Sequence, residues 1–255
     1  MGVLGGEPGY QLLRHLWAGH SSNLDGSAYN GKSKLEVLLG PHVYKELLNK
    51  VVIDFGCGEG TEAIELAQHG VRRVIGVDID IQDRLLVKAR RRALEAGVAD
   101  RCEFVTATHE KCDVILSLDS FEHFSNPLAI LHIMRDLLKP GGYVWTSFGP
   151  TWYHPYGGHG FSPFPWAHLI FTEKTLTRRL RDLWPTNIHS FSEYWEGLGQ
   201  LTIAQFERVV KQARFEFISF DAVPIRRLRL FHNKLTREFS TSVVRAKFRP
   251  NPRSM

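Results

Sequence analysis

Val51-Val-Ile-Asp-Phe-Gly-Cys-Gly-Glu-Gly60 is the stretch that decides the fold of this 255-residue chain. A short apolar run ends at the carboxylate of Asp54, and a helix-like segment follows over residues 61–68. Between them, three glycines alternate with other residues: Gly56, Gly58 and Gly60. The pattern predicts a strand, a tight glycine loop and a helix. Ligands of open parallel sheets bind where such strands end, and glycines let the backbone approach them closely, so we expect a nucleotide-type cofactor here.

The glycine spacing separates three cofactor families. The dinucleotide fingerprint G-x-G-x-x-G would need a glycine where Thr61 stands, and a P-loop would need a lysine that the loop lacks. What remains is an acidic residue followed by x-Gly-x-Gly-x-Gly. Over residues 51–149 the chain resembles class I S-adenosylmethionine (SAM)-dependent methyltransferases. A glycine turn in an ordinary βαβ unit is the alternative interpretation.

A second apolar run, Val74-Ile-Gly-Val-Asp78, fits the same cofactor. Asp78 follows the glycine loop at the offset that a βαβ unit needs, and a carboxylate there can accept hydrogen bonds from both ribose hydroxyls. A helix N-cap is the alternative role. The resemblance further implies that Ile79 packs on adenine.

Later segments extend the resemblance. A third strand is predicted over residues 102–106, a fourth over 113–119, and a fifth over 143–148 after the turn Lys139-Pro-Gly-Gly. The resemblance implies an α/β, Rossmann-like, doubly wound sheet of seven strands, mostly parallel with an antiparallel last strand. An N-terminal helical segment and an inserted lid after strand five would accompany it. We expect one methyltransferase domain over residues 1–255, made of four parts: a cap (1–50), a SAM-binding core (51–149), a lid and acceptor pocket (150–200), and a C-terminal part that completes the sheet (201–255).

The cofactor implied is SAM, and the residues expected to hold it lie mainly at strand ends. Asp54 and the glycines would bind the methionine end. No acid stands directly after strand three, so adenine would meet Thr106, Thr108 or only backbone. The full set is Asp54, Phe55, Gly56, Cys57, Gly58, Gly60, Asp78, Ile79, Thr106, Thr108 and Leu118.

Methyl transfer from a sulfonium needs a base only if the acceptor loses a proton. His123 follows strand four, and imidazole can exchange protons near neutrality, so we take it as the candidate base. Capping of the strand–helix junction is the alternative. Asp119, Glu122 and His123 could also ligate a divalent metal, because some ubiquinone-type O-methyltransferases carry a similar Glu-x-x-Glu-His motif. Many related enzymes have the Glu-His pair without a metal.

Residues 149–168 are dense in aromatics, histidine, Gly and Pro and lack periodicity, which is typical of a functional loop. Our candidates for substrate contact are Trp152, Tyr153, His154, Tyr156 and His159. A loop that packs on itself is the alternative. Five residues of the N-terminal segment could also reach the pocket, although packing or surface roles are favoured for each: Tyr10, His15, Trp17, His20 and Tyr29.

Composition limits the partners and the cellular location that we expect. The net charge of +5 is too small to indicate nucleic acid, and three cysteines without metal spacing indicate reduced thiols. No apolar run approaches about 18 residues and no signal peptide is apparent, so we expect a cytoplasmic protein. A basic helix is predicted near the C-terminus, either as a solvated face or as a phosphate or membrane contact, from Arg226, Arg227, Arg229, Lys234 and Arg237.

The function expected from these features is methyl transfer from SAM to a small-molecule acceptor, at oxygen. A methyltransferase of RNA or protein and a SAM-binding protein without turnover are the alternatives. The oligomeric state is left open.

Overall fold

Seven strands form one sheet in the computed structural model, which describes residues 2–18, 31–78, 84–193 and 198–252. The strands are β1 (Val51–Phe55), β2 (Arg73–Val77), β3 (Cys102–Val105), β4 (Cys112–Leu118), β5 (Leu138–Phe148), β6 (Phe215–Pro224) and β7 (Thr241–Pro250). Their spatial order is β3-β2-β1-β4-β5-β7-β6. Neighbours from β3 to β5 pair in parallel, whereas β7 is antiparallel to both β5 and β6. The predicted sheet is therefore confirmed.

The order of the strands sets where a ligand can bind. From β1 the chain moves outward through β2 to β3 and then returns to place β4 on the other side of β1. The carboxyl ends of β1 and β4 thus flank a topological switch point, where open α/β sheets form a ligand crevice. Asp54 lies on β1 opposite Leu116 of β4.

Helices cover the sheet. They are α1 (Gly6–Leu16), α2 (Lys34–Leu39), α3 (Val43–Leu47), α4 (Thr61–Gln68), α5 (Arg84–Glu95), α6 (Pro127–Leu137), α7 (Ala167–Ile170), α8 (Glu173–Leu183), α9 (Ile203–Gln212) and α10 (Arg237–Ser240). Short 3₁₀ turns occupy residues 121–123, 159–161, 191–193 and 226–231.

Local signals in the sequence explain several helix ends. Asn126 accepts a hydrogen bond from the Ala129 N–H before Pro127 opens α6. Thr202 and Gln205 form a capping box at the start of α9, a pattern readable in the sequence as Thr-x-x-Gln. Gly40 separates α2 from α3 with a φ of 94°, which glycine adopts without steric strain.

Two sequence predictions about chain segments need correction. The Lys139-Pro-Gly-Gly segment belongs to β5, which already begins at Leu138, where it pairs with Cys112. The predicted basic helix over residues 226–237 is instead a 3₁₀ turn, a short loop and then α10. Asn233 explains the interruption, because its side-chain oxygen accepts from the Leu235 N–H at 2.9 Å and so builds a local turn.

Buried apolar side chains of the described residues form three clusters. One lies on one face of the sheet with Ile53 and Ile115, and a second lies on the opposite face with Val52 and Val114. Alternate residues of buried strands point to opposite faces, which accounts for this division. The third cluster joins α1 and α8 to the segment after β5, through Leu13, Trp17, Trp152, Phe161, Phe171, Leu176, Leu180, Phe191 and Leu198.

No helix within the described residues is long and apolar enough to cross a membrane.

Candidate functional site

The glycine loop is fixed by backbone hydrogen bonds to the end of β2. The N–H groups of Gly56 and Cys57 both donate to the Val77 carbonyl, at 2.8 and 3.2 Å. Gly60 N–H donates to the Cys57 carbonyl at 2.8 Å, which closes the turn before α4. The loop thereby stands at the carboxyl edge of β1 and β2, where the sequence places it.

The glycines of the loop serve different purposes. All three have positive φ: 85° at Gly56, 50° at Gly58 and 73° at Gly60. A Cβ at Gly56 would lie 2.3 Å from Ser120 Oγ, and one at Gly60 would lie 2.5 Å from the Phe104 ring. A Cβ at Gly58 would meet nothing within 4 Å. Gly56 and Gly60 are therefore required for packing, whereas Gly58 leaves backbone open to the crevice.

Asp78 faces this open glycine. Its Oδ2 accepts a hydrogen bond from the Gly58 N–H at 2.7 Å. The sequence-predicted ribose carboxylate thus also holds the tip of the loop. Ile79, the adenine candidate, lies outside the described residues.

Asp54 is a buried carboxylate at the end of β1, with 3% of its surface exposed. Burial, together with the nearby charges of Glu62 and Asp78, raises its pKa to about 8, against the effect of Lys34. Among the described groups, its Oδ2 has no hydrogen-bond partner. An orphaned acceptor in a buried, acidic surrounding fits a cationic ligand group, and SAM carries a sulfonium and an ammonium.

The remaining cofactor candidates differ in exposure. Thr106 is exposed, and the Thr108 hydroxyl accepts from the Glu110 N–H at 3.1 Å. Phe55, Cys57 and Leu118 are buried in the apolar clusters on the two faces of the sheet. Burial raises the pKa of the Cys57 thiol, so it is a packing group. The adenine residues stay predictions.

The structure does not support the predicted metal site. Within the described residues, no three His, Cys, Asp or Glu side chains come together as metal ligands would. Asp119 pairs with Lys34 at 2.9 Å, whereas Glu122 is buried and accepts from the Gly149 N–H at 3.3 Å. Spacing along the chain could not reveal that the Asp119 and Glu122 carboxylates bind different parts of the protein.

Glu122 has a structural role instead. Its carbonyl accepts from the Gly199 N–H at 2.8 Å, and its side chain holds the end of β5 at Gly149. Burial and the nearby Asp119 charge raise its pKa to about 8. A Cβ at Gly199 would lie 2.8 Å from the Glu122 carbonyl, so glycine is needed for this approach.

A cavity of about 580 Å³ opens next to His123. Trp152 and Tyr153, two of the predicted substrate residues, line it together with His123. The sequence reasoning missed the other lining residues, which come from the connection before α9 and from the start of that helix: Ser192, Leu198, Gly199, Gln200, Thr202 and Gln205, with Ser125 from the β4–α6 connection. Only the capping box gave a signal there, and it marked a helix start, not a pocket.

His154, Tyr156 and His159 are not among the residues that line this cavity. His154 Nδ1 accepts from the Tyr156 N–H at 2.9 Å, which folds the loop on itself. The His159 ring lies 5.6 Å from that of His123, which does line the cavity. Burial lowers the pKa of both His154 and His159 to about 4, so both are neutral at pH 7.

His168 anchors the cavity wall and was also missed. Its Nε2 donates to the Trp152 carbonyl at 2.6 Å, and its Nδ1 accepts from the Ser162 hydroxyl at 2.7 Å. Burial lowers its pKa to about 4, which keeps this neutral tautomer. The histidine therefore sets the position of Trp152.

Tyr10, His15 and Trp17, the three N-terminal candidates that the structure describes, do not line the cavity. Tyr10 hydrogen bonds Asp182 and stacks under the Arg178 guanidinium, and Trp17 packs on Trp184. His15 is exposed on α1. The favoured packing and surface roles account for these three, and His20 and Tyr29 lie outside the described residues.

Basic side chains also fix the site. Arg92 donates to the Glu59 carbonyl at 3.0 Å and so supports the glycine loop from α5. Arg92 is thereby held against the loop, although it stands in a run of three arginines typical of a solvated helix face. Sequence periodicity gave the helix face but could not show which loop lies against it.

Comparisons with known proteins agree with this geometry. A family model described as a methyltransferase domain matches residues 33–218. A ubiquinone biosynthesis O-methyltransferase of Aliivibrio fischeri is 35% identical over 109 residues, which is 40% of this chain and 44% of that protein. A ribosomal protein L11 methyltransferase of Pasteurella multocida is 34% identical over 103 residues, 40% of this chain and 34% of that protein.

Solved structures give the same fold. Magnesium protoporphyrin IX methyltransferase from Synechocystis PCC 6803, with bound SAH, has a TM-score of 0.55 at 18% identity and covers 95% of this chain and 94% of that one. The match to the curated relatives spans less than half of their length. The chain belongs to the methyltransferase domain family, and its fold is that of the SAM-dependent methyltransferases.

Proposed function

We propose that the protein transfers a methyl group from SAM to a hydroxyl oxygen of a small-molecule acceptor. The observation that carries the proposal is the 580 Å³ cavity beside His123, a residue that follows the carboxyl end of β4. Its volume lies in the range of about 300–1,000 Å³ that is usual for small-ligand sites. The similarity to an O-methyltransferase favours oxygen as the attacked atom.

Each residue has a role in this proposal. Asp54 would hold the cationic methionine end of SAM, Asp78 would accept from the ribose hydroxyls, and Thr106, Thr108 and Ile79 would line adenine. Bound SAM would supply a methyl group activated by its sulfonium sulfur. As the acceptor oxygen bonds the methyl carbon and the carbon–sulfur bond breaks, an imidazole nitrogen of His123 would take the hydroxyl proton.

The walls of the cavity would orient the acceptor. Trp152 and Tyr153 offer flat apolar surfaces, whereas Thr202 and Gln205 offer polar groups at the N-terminus of α9. Holding the acceptor oxygen in line with the methyl carbon and the sulfur would provide much of the rate enhancement. His154, Tyr156 and His159 would support this wall from behind.

A protein acceptor is the second candidate, since a ribosomal protein L11 methyltransferase matches about as well. The experiment that separates the candidates is incubation of metabolite, RNA and protein fractions with isotopically labelled SAM, followed by mass spectrometry. We expect label in an oxygen of a small molecule. Label only in the RNA or protein fraction would overturn the proposal, and SAM binding without transfer to any fraction would indicate a binding protein.

Once an acceptor is known, His123→Gln should reduce kcat about 10²–10⁴-fold with unchanged SAM affinity, because only the proton acceptor is lost. His15→Gln, on the exposed face of α1, is the matched control and should behave as wild type. An active His123→Gln enzyme would remove the base from the mechanism.

A further inference from the structure

The segment between β6 and β7 carries an unusual surface. Leu230 is 96% and Leu235 is 91% exposed, the two highest values among the large apolar side chains of the described chain, and Phe231 is also exposed. Folded proteins keep such groups scattered, and a cluster of them marks an interaction site. We call residues 226–235 the basic apolar loop.

The charge of this loop has one sign. Between Asp221 and Glu238 the sequence contains no acidic residue. Four cations of the basic apolar loop are exposed beside its apolar side chains: Arg226, Arg227, Arg229 and Lys234. Apolar side chains surrounded by cations complement a surface with an apolar interior and anionic groups at its edge.

The fold holds this loop in place from beneath. Arg237 pairs with Glu207 through two hydrogen bonds of 2.9 and 2.6 Å, and Glu238 accepts from the Ile203 and Ala204 N–H groups at the start of α9. His232 Nδ1 lies 2.9 Å from the Ser240 hydroxyl. Arg237, which the sequence assigned to the basic face, is therefore a structural ion pair.

We propose that the basic apolar loop docks the protein on an anionic membrane surface, with Leu230, Phe231 and Leu235 inserted among the headgroups. Nucleic acid would engage the arginines but would leave the aliphatic side chains in water. A membrane surface would contact both the cationic and the apolar side chains. Helix α10, which follows the loop, contacts a residue that lines the cavity, because the Phe239 ring lies 5.1 Å from that of Tyr153.

Helix α5 provides the comparison within the same chain. It also exposes two apolar side chains, Val87 and Leu94, among basic ones. Three of its cations, however, have acidic partners: Lys88 and Arg92 pair with Glu59 at 2.6 and 3.6 Å, and Arg91 pairs with Glu95 at 3.6 Å. We therefore assign membrane docking to the basic apolar loop and not to α5.

The test is sedimentation of the full chain with sucrose-loaded vesicles, either of phosphatidylcholine alone or of equal parts phosphatidylcholine and phosphatidylglycerol. We expect binding to the mixed vesicles that weakens in high salt, and little binding to the neutral ones. Arg227→Gln and Arg229→Gln should each weaken binding about five-fold. The pair Leu230→Ser and Phe231→Ser should weaken it at least about ten-fold.

The pair Val87→Ser and Leu94→Ser on α5 is the matched control and should bind as wild type. Unchanged thermal unfolding would show that the loop variants fold. Equal binding of all variants to mixed vesicles would overturn the proposal. Tighter binding to an RNA oligonucleotide that survives Leu230→Ser with Phe231→Ser would do so too, and so would a dimer in solution that this pair dissociates. Because vesicle binding needs no turnover, its failure would leave the proposed methyl transfer untouched.

Discussion

The carboxylate of Asp78 accepts a hydrogen bond from the Gly58 N–H at 2.7 Å, so the end of β2 is tied to the tip of the glycine loop. The same carboxylate lies where ribose hydroxyls are expected. Asp78 therefore shapes the loop, and in the proposed function it would also accept from the cofactor; substitutions can separate these two tasks.

Asp78→Ala should weaken SAM binding about 10- to 100-fold, since it leaves an amide unpaired and removes a charged acceptor. Asp78→Asn keeps an oxygen for Gly58 and should fall between this variant and wild type. Calorimetric titration with SAM measures both. Asp100→Ala removes an exposed carboxylate next to β3 and is the control. Wild-type affinity in Asp78→Ala would refute the ribose assignment.

Gly56→Ala should destabilise the fold by about 2–4 kcal/mol, because it combines left-handed backbone strain with a collision. The added Cβ would lie 2.3 Å from Ser120 Oγ and 2.8 Å from its Cβ. Gly58→Ala meets nothing within 4 Å and should cost only the strain, about 1–2 kcal/mol. Urea unfolding measures both variants. Ser120→Gly should partly rescue Gly56→Ala, and equal losses in the two single variants would contradict this account.

Asp54 should make SAM binding release a proton. Burial raises the pKa of Asp54 to about 8, so the carboxyl is mostly protonated at pH 7. A cationic ligand favours the ionised form, and binding at pH 7 should therefore release up to about one proton. Calorimetric titration with SAM in buffers of different ionisation enthalpy measures the number of protons released. Asp54→Asn should abolish the release, whereas Glu122→Gln should retain it. Buffer-independent heats for the wild type would disprove the assignment.

The sign of the Asp54 effect on stability follows from the same pKa. The folded state binds a proton more tightly than the unfolded chain, whose Asp pKa is about 3.9. The contribution of Asp54 to the free energy of unfolding should therefore fall as pH rises from about 4 to about 8 and then level off. In urea titrations, the difference in this free energy between wild type and Asp54→Asn should decrease over the same pH range.

Three buried histidines should give the opposite slope at acid pH. Burial lowers the pKa of His154, His159 and His168 to about 4, below the value of about 6.5 for an exposed histidine. The unfolded chain then binds more protons at these three sites, so their contribution to the free energy of unfolding should fall as pH drops from about 6.5 to about 4. His168→Gln should reduce the slope, and His15→Gln should not. Tm values between pH 7 and pH 4.5 would show either outcome.

The fold could be predicted from the sequence because its signals are local. Apolar runs ending at Asp54 and Asp78, the Asn126-Pro127 start of α6 and the Thr202 capping box each depend on neighbours in the chain. The number of strands and the antiparallel last strand followed from the family resemblance. The metal prediction failed for the opposite reason. The partners of Asp119 and Glu122, namely Lys34 and Gly149, are brought to them only by folding.

The residues that line the cavity could likewise be predicted only in part, because folding brings them together from distant segments. Trp152 and Tyr153 were predicted from an aromatic-rich loop, but Leu198 and Gly199 come from a connection without any pattern. Whether a histidine faces a cavity or the core cannot be decided from spacing. His123 reaches the cavity and His154 does not, although both stand in polar, loop-like sequence.

The packing of α1 against α8 lies in a different part of the chain from the glycine loop. Arg179 of α8 donates to the Trp17 carbonyl at 3.1 Å. Trp17 belongs to the same apolar cluster as Trp152, which lines the cavity. The residues proposed to bind the cofactor lie instead on β1, β2 and the glycine loop, next to α4 and α5. In the proposed function, substitutions in α1 or α8 would therefore alter acceptor choice and leave cofactor binding unchanged. Directed evolution of new acceptor specificity should begin at this helix pair.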